Sequence, residues 1–203
     1  MGFGLLFIGY LLLFDLPYWD QLVMPDMWGL LLMLWGIIRL AEYDDKFNSS
    51  KFFLLGAIAA EAVKLALSGA VIIADFGLST PIFTADILRT LFVFAFTCKM
   101  LTAIRKLAHD VGLDTLAKHS VRNLYITVVY YVLVLIKNLK IGLFADVAGI
   151  ISVAAYAGGI LCIVLNASHI YSCYMKICRE GEEDGPQGED FIDRKLNSKR
   201  KAG

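Results

Sequence analysis

Long apolar stretches separated by short polar or Pro/Gly breaks recur along almost the whole chain, the pattern of helices that cross a bilayer. Six spans can be drawn, at about residues 2–16, 27–40, 52–76, 81–101, 124–136 and 142–174. Several are shorter in strict apolar run than the roughly 20 residues that a crossing helix needs. Pro17 closes the first span, and Tyr18, Trp19 and Asp20 form a turn suited to the membrane interface, where aromatic rings are favoured. Pro25 and Asp26 read as the start of the second helix, with Asp26 as its cap and Arg39 snorkelling outward at its far end. Lys99, Arg105 and Lys106 mark where the fourth span leaves the membrane. Gly112 is expected to end that helix and Asp114 to cap the next. Helices four and five then extend into a hairpin over residues 102–123. The expected fold is an all-α, polytopic integral membrane protein, a bundle of six transmembrane helices within residues 1–178.

Composition agrees with this pattern. Apolar residues make up 58% of the 203 residues and mean hydropathy is +0.66, against the roughly 45–50% apolar usage of soluble domains. Lipid solvates the outward faces of such helices, whereas water would not. The first apolar run has no basic residue before it and no small-residue cleavage site after it, so it reads as a retained span rather than a removed signal peptide. Residues 179–203 turn acidic and then basic, with too little apolar surface to fold alone. They read as a disordered charged tail in which Asp190 to Leu196 could engage a partner.

Formal charge is zero, with 19 basic and 19 acidic residues, but the bases are segregated. Fifteen of them fall after spans two and four or at the carboxyl end, while Lys137 and Lys140 alone occupy the other side. The positive-inside rule then puts both termini and the hairpin in the cytoplasm, in what is expected to be the plasma membrane. On this topology Cys98, Cys162, Cys173 and Cys178 stay on the reducing side and read as free thiols.

Candidate chemistry lies where charge enters the spans. Glu61 and Lys64 sit three residues apart on the third span, on one helix face, where they could neutralise each other. Lys64 is 12 residues into the span, about 18 Å deep at 1.5 Å per residue. Charge at that depth has a partner or a task. Asp86 and Arg89 repeat the acid-x-x-base pattern on the fourth span, nearer the outer surface, where Arg89 could reach headgroups or water. With Glu61 bridging Lys64 and Arg89, these four residues form a candidate intramembrane polar site. On the sixth span Cys162, Asn166, His169 and Cys173 recur at helical spacing and share one face, a candidate interhelical polar seam. Soft and imidazole ligands on one face could also hold a transition metal, but one helix supplies no converging ligand set, and no metal or other cofactor is implied. Gly56, Ala60 and Gly69, with Ala155, Gly158 and Gly159, suggest that spans three and six meet closely at the bundle centre.

No phosphate loop, GxSxG elbow or nucleic-acid-binding basic domain is present, and an enzyme is not the favoured class. Two functions remain: binding or translocation of a small solute or cation through the interhelical site, or a membrane scaffold that engages a cytoplasmic partner through its hairpin and tail.

Overall fold

The computed structural model describes residues 2–13, 24–74, 79–139 and 148–178. Within them the chain is helical: α1 (Gly2–Leu12), α2 (Met24–Tyr43), α3 (Asn48–Ala74), α4 (Ser79–Asp110), α5 (Asp114–Leu139) and α6 (Ala148–Cys173), the last continuing into a π turn at Tyr174–Cys178. A short 3-10 turn, Asp45–Phe47, joins α2 to α3. Each helix packs on its neighbours in sequence, and α1 closes the ring against α6. Leu6, Met33, Phe96, Met100 and Ile170 fill the centre and are fully buried. Outward faces carry large apolar side chains instead, such as Trp28, Leu31, Trp35 and Ile38 on α2 and Val129 and Val132 on α5. That inversion of the usual surface is what lipid as solvent requires.

Four stretches are long and apolar enough to cross a membrane: Asp45–Val71, Thr80–Asp110, Asp114–Asn138 and Gly149–Ile177. The protein is therefore a multi-pass helical membrane protein, with four rather than six spans supported by length and composition among the described residues. Helix α1 is apolar but has 11 residues, about 16 Å at 1.5 Å per residue, roughly half of the 30 Å hydrocarbon core. Helix α2 has the length but carries Asp26, Arg39 and Glu42.

Among the described residues these two helices make the closest backbone contact. A Cβ built on Gly9 would stand 2.7 Å from the Gly29 carbonyl oxygen, and one on Gly29 would stand 2.9 Å from the Gly9 carbonyl. Gly2 and Gly36 stand in the same reciprocal relation, each 2.8 Å from the other's carbonyl. The glycines are seven residues apart on both helices, so antiparallel chains bring both pairs into register along one seam. Only glycine permits this approach, because any side chain would collide with backbone.

Small residues on α3 and α6 have a different use from the one expected. The ring places α3 between α2 and α4, and α6 between α5 and α1, on opposite sides of the bundle. Gly56 is a seat for the Phe92 ring of α4, and Gly158 and Gly159 receive the Tyr130 ring of α5, whereas Gly69 faces open space. Spans three and six are thus not the paired bundle centre, since a large ring from the adjacent helix occupies each notch.

The α4–α5 hairpin turns where Gly112 was expected to end the helix. Gly112 has φ 80°, and the Leu113 and Gly112 amides donate to Ala108 and His109 carbonyls, a Schellman closure. Asp114 is not the cap of α5. The Leu113 carbonyl starts that helix by accepting from Leu116 and Ala117, and Asp114 lies in the first turn, where the helix dipole still favours an anion. Nor does the hairpin stand free. Its end is tied to the α2–α3 connection by Lys46, which bonds both Asp110 and Asp44, over the buried ring of Phe47. The charged tail lies outside the described residues.

Candidate functional site

Two polar zones occupy the bundle interior at different levels. The first is built on α3 and α4, whose antiparallel packing turns two copies of acid-x-x-base into a ladder. Glu61 Oε2 lies 3.0 Å from Arg89 Nε, and Lys64 Nζ donates to Asp86 Oδ1 at 2.9 Å. Because the two chains run in opposite directions, the acid of each pattern faces the base of the other. The expected self-pairing of Glu61 with Lys64 is not made. Nor does Glu61 bridge Lys64 and Arg89. Each base instead takes an acid from the neighbouring helix.

A third acid completes the cluster. Asp26 of α2 accepts a hydrogen bond from Arg89 Nη2, so it serves as an interhelical partner and not as the cap of α2, which already begins at Met24. Asp86 also stands 4.0 Å from Arg89 on its own helix. Arg89 is therefore held by α2, α3 and α4 together. Its side chain is 13% exposed and that of Glu61 only 1%, against 38% for Asp86. Two carboxylates, Glu61 and Asp26, hold the Arg89 side chain among the helices. The Glu61–Arg89 contact is an ion pair whose geometry is not that of a hydrogen bond. Among the described residues the cluster contains three carboxylates and two bases, a formal charge of −1.

The second zone runs along the buried face of α6. Cys162, Asn166, His169 and Cys173 are all buried on that face. Ser120 of α5 meets His169 Nε2 at 2.7 Å, and Asn123 donates to the Leu165 carbonyl at 3.0 Å. Asn166 Nδ2 lies 3.0 Å from the Tyr10 hydroxyl of α1, 3.1 Å from Thr127 Oγ1 and 3.4 Å from Cys162 Sγ. The Tyr10 hydroxyl also meets Thr97 of α4. Cys98 and Cys162 are free thiols, and no cluster of three metal-ligating side chains occurs among the described residues.

Sequence reasoning missed Asp26, Tyr10, Thr97, Ser120, Asn123 and Thr127 as members of these zones. Thr127 and Ser120 were legible as a polar stripe on α5 with Asn123, at steps of four and three. Tyr10 and Asp26 carry no such signal, because one tyrosine in an apolar run and one aspartate after proline each have a sufficient local explanation. A shallow groove of about 330 Å³ between α5 and α6, lined by Tyr125, Val129, Leu133 and Leu161, is apolar and touches neither polar zone. Compared with known proteins, the chain matches no family model, no curated protein and no solved structure.

Proposed function

We propose that this membrane protein binds or translocates a small cation or cationic solute at the cluster of Glu61, Lys64, Asp86 and Arg89, extended by Asp26. The observation that carries the reading is the convergence of three carboxylates, from three helices, on the Arg89 and Lys64 side chains. Ionisable groups gathered between membrane helices commonly mark ion pathways, and carboxylates are the ligands that a cation takes. Arg89 holds Glu61 and Asp26 in place, while the more exposed Lys64–Asp86 rung is the one that a guest cation can open. In this reading six helices span the plasma membrane, residues 179–203 form a cytoplasmic tail, and both termini and the 102–123 hairpin lie in the cytoplasm, in accord with the segregation of bases.

The test is a titration of the purified protein in detergent with sodium, potassium, ammonium and tetramethylammonium ions, following the midpoint of thermal unfolding. At least one should raise the midpoint of the wild type and leave that of Glu61→Gln unmoved. A Glu61→Gln protein that folds normally and keeps the full cation response rules out the carboxylate role. Labelling of a cysteine introduced in the hairpin from outside intact cells should fail, and success would invert the topology.

A second reading, a scaffold that engages a cytoplasmic partner, draws support from the hairpin. Arg105, Lys106, Lys118 and Arg122 are all exposed there, on a turn closed by Gly112 and tied by Lys46 to Asp110 and Asp44.

A further inference from the structure

Lys118, Arg122, Tyr125 and Val129 recur along α5 at steps of four, three and four, and all four are exposed, so they form one outward stripe. The stripe changes character at Tyr125. Toward the hairpin it carries two bases, and in the other direction it becomes a wall of the apolar groove between α5 and α6. Tyr125 and Val129 are 70% and 61% exposed and line that groove with Leu133, Leu161 and Gly158. Gly158 contributes no side chain, and a Cβ there would meet the Tyr130 ring at 3.5 Å, so the groove stays open at this level.

Depth gives each part of the stripe its surroundings. Lys118 and Lys137 are 19 residues apart on α5, about 28 Å at 1.5 Å per residue, close to the roughly 30 Å thickness of the hydrocarbon core. With these two ammonium groups at opposite headgroup layers, Arg122 lies about 6 Å inside the hydrocarbon edge. The groove wall from Tyr125 to Leu133 then runs about 12 Å across the bilayer centre. A guanidinium at the depth of Arg122 either snorkels to the surface or draws an anion toward it. Among the described residues no carboxylate lies within 4.0 Å of Lys118 or Arg122. The anion that meets these bases comes from outside the bundle.

We propose that the α5–α6 groove binds one anionic phospholipid. An acyl chain lies against Tyr125, Val129, Leu133 and Leu161, and the phosphate is held by Arg122 and Lys118, one and two turns toward the hairpin. Bases beside a cleft between membrane helices are a recurrent means of recognising such headgroups, and Tyr125 stands where headgroup meets tail, the level that amphipathic rings favour. Charge and groove together select this occupant: a soluble protein does not enter at this depth, and a free phosphate leaves the apolar walls uncovered. The groove touches neither polar zone of the interior, so the site is independent of the cation reading.

Native mass spectrometry of the full chain, titrated in detergent with dioleoylphosphatidylglycerol or dioleoylphosphatidylcholine, counts the bound lipid. One phosphatidylglycerol should bind, roughly tenfold or more tighter than the zwitterionic lipid. Lys118→Gln and Arg122→Gln should each weaken it about fivefold, the effect of one base at an anionic surface. Leu161→Trp, which fills the groove from a half-exposed position, should weaken it about tenfold or more by displacing a few methylenes. Lys137→Gln, at the other end of α5, leaves binding unchanged. Unfolding midpoints show which variants are folded, and Val129→Trp is a second way to fill the groove. Equal binding of the two lipids overturns the proposal, as does full phosphatidylglycerol binding to a folded protein carrying both Lys118→Gln and Arg122→Gln. Glycerol 3-phosphate that displaces the lipid at equal concentration reduces the site to an anion site and overturns it too. A lipid-free dimer that Leu161→Trp dissociates assigns the groove to a second copy, with the same consequence.

Discussion

The α1–α2 pair and the α3–α4 pair solve the same problem in opposite ways. Lipid is as apolar as leucine, so helices gain little from burying apolar side chains against each other in a membrane. Helices α1 and α2 gain from proximity: Gly2 and Gly9 meet Gly36 and Gly29 so closely that backbone lies on backbone. Helices α3 and α4 stand behind side chains and gain from charge, with Glu61–Arg89 and Lys64–Asp86 forming rungs across the seam. The first contact has no polar group to satisfy and tolerates no added atom. The second tolerates side-chain bulk but not the loss of a partner. Arg89 links the two halves, because Asp26 belongs to the glycine-seamed α2.

The comparison can be broken hardest at Arg89. Arg89→Leu leaves Glu61 and Asp26 without their base, and loss of one partner from a buried pair typically costs about 3–5 kcal/mol. We expect the largest fall in unfolding midpoint from this variant, together with reduced membrane insertion in expressing cells. Next comes Gly9→Ala, whose Cβ meets the Gly29 carbonyl at 2.7 Å. Overpacking of this kind costs about 1–3 kcal/mol, read as an earlier midpoint in thermal or denaturant unfolding, and Gly36→Ala should match it. Gly69→Ala is the control on α3, since nothing lies within 4 Å. It should be neutral or stabilise by up to about 1 kcal/mol through helix propensity, and a large loss there would mean that α3 also packs through its glycines. The smallest effect is expected at the hairpin clamp. Lys46→Ala breaks a partly exposed ion pair worth about 0–1 kcal/mol, and the difference from wild type should shrink as salt is raised.

Much of this contrast was legible before any geometry. Two acid-x-x-base patterns on consecutive spans announced charge inside the membrane, and the recurrence of Cys162, Asn166, His169 and Cys173 marked the face of α6 that is buried. Their partners were not legible. Spacing within one helix makes Glu61 and Lys64 look self-sufficient, and only the relative register of α3 and α4 decides that each base crosses the seam instead. Asp26 was hidden for the same reason, because a helix start explains an aspartate completely until the neighbouring helix supplies an arginine. The glycine seam did leave a trace, an identical seven-residue spacing in two consecutive segments, but short helices with few polar residues invite attention to length rather than to glycine.

The chain by itself determined that apolar helices form, that they belong in lipid, where the α4–α5 hairpin turns, and which residues bring charge into the membrane. These follow from composition, periodicity and backbone preference, which act over a few residues. Tertiary structure alone decided which helices touch, that α3 and α6 stand apart, that Glu61 pairs with Arg89, and that Tyr10, Thr127 and Asn166 meet. Those outcomes depend on register between helices far apart in sequence. Register is set by where backbone can approach backbone and where every buried charge finds its partner.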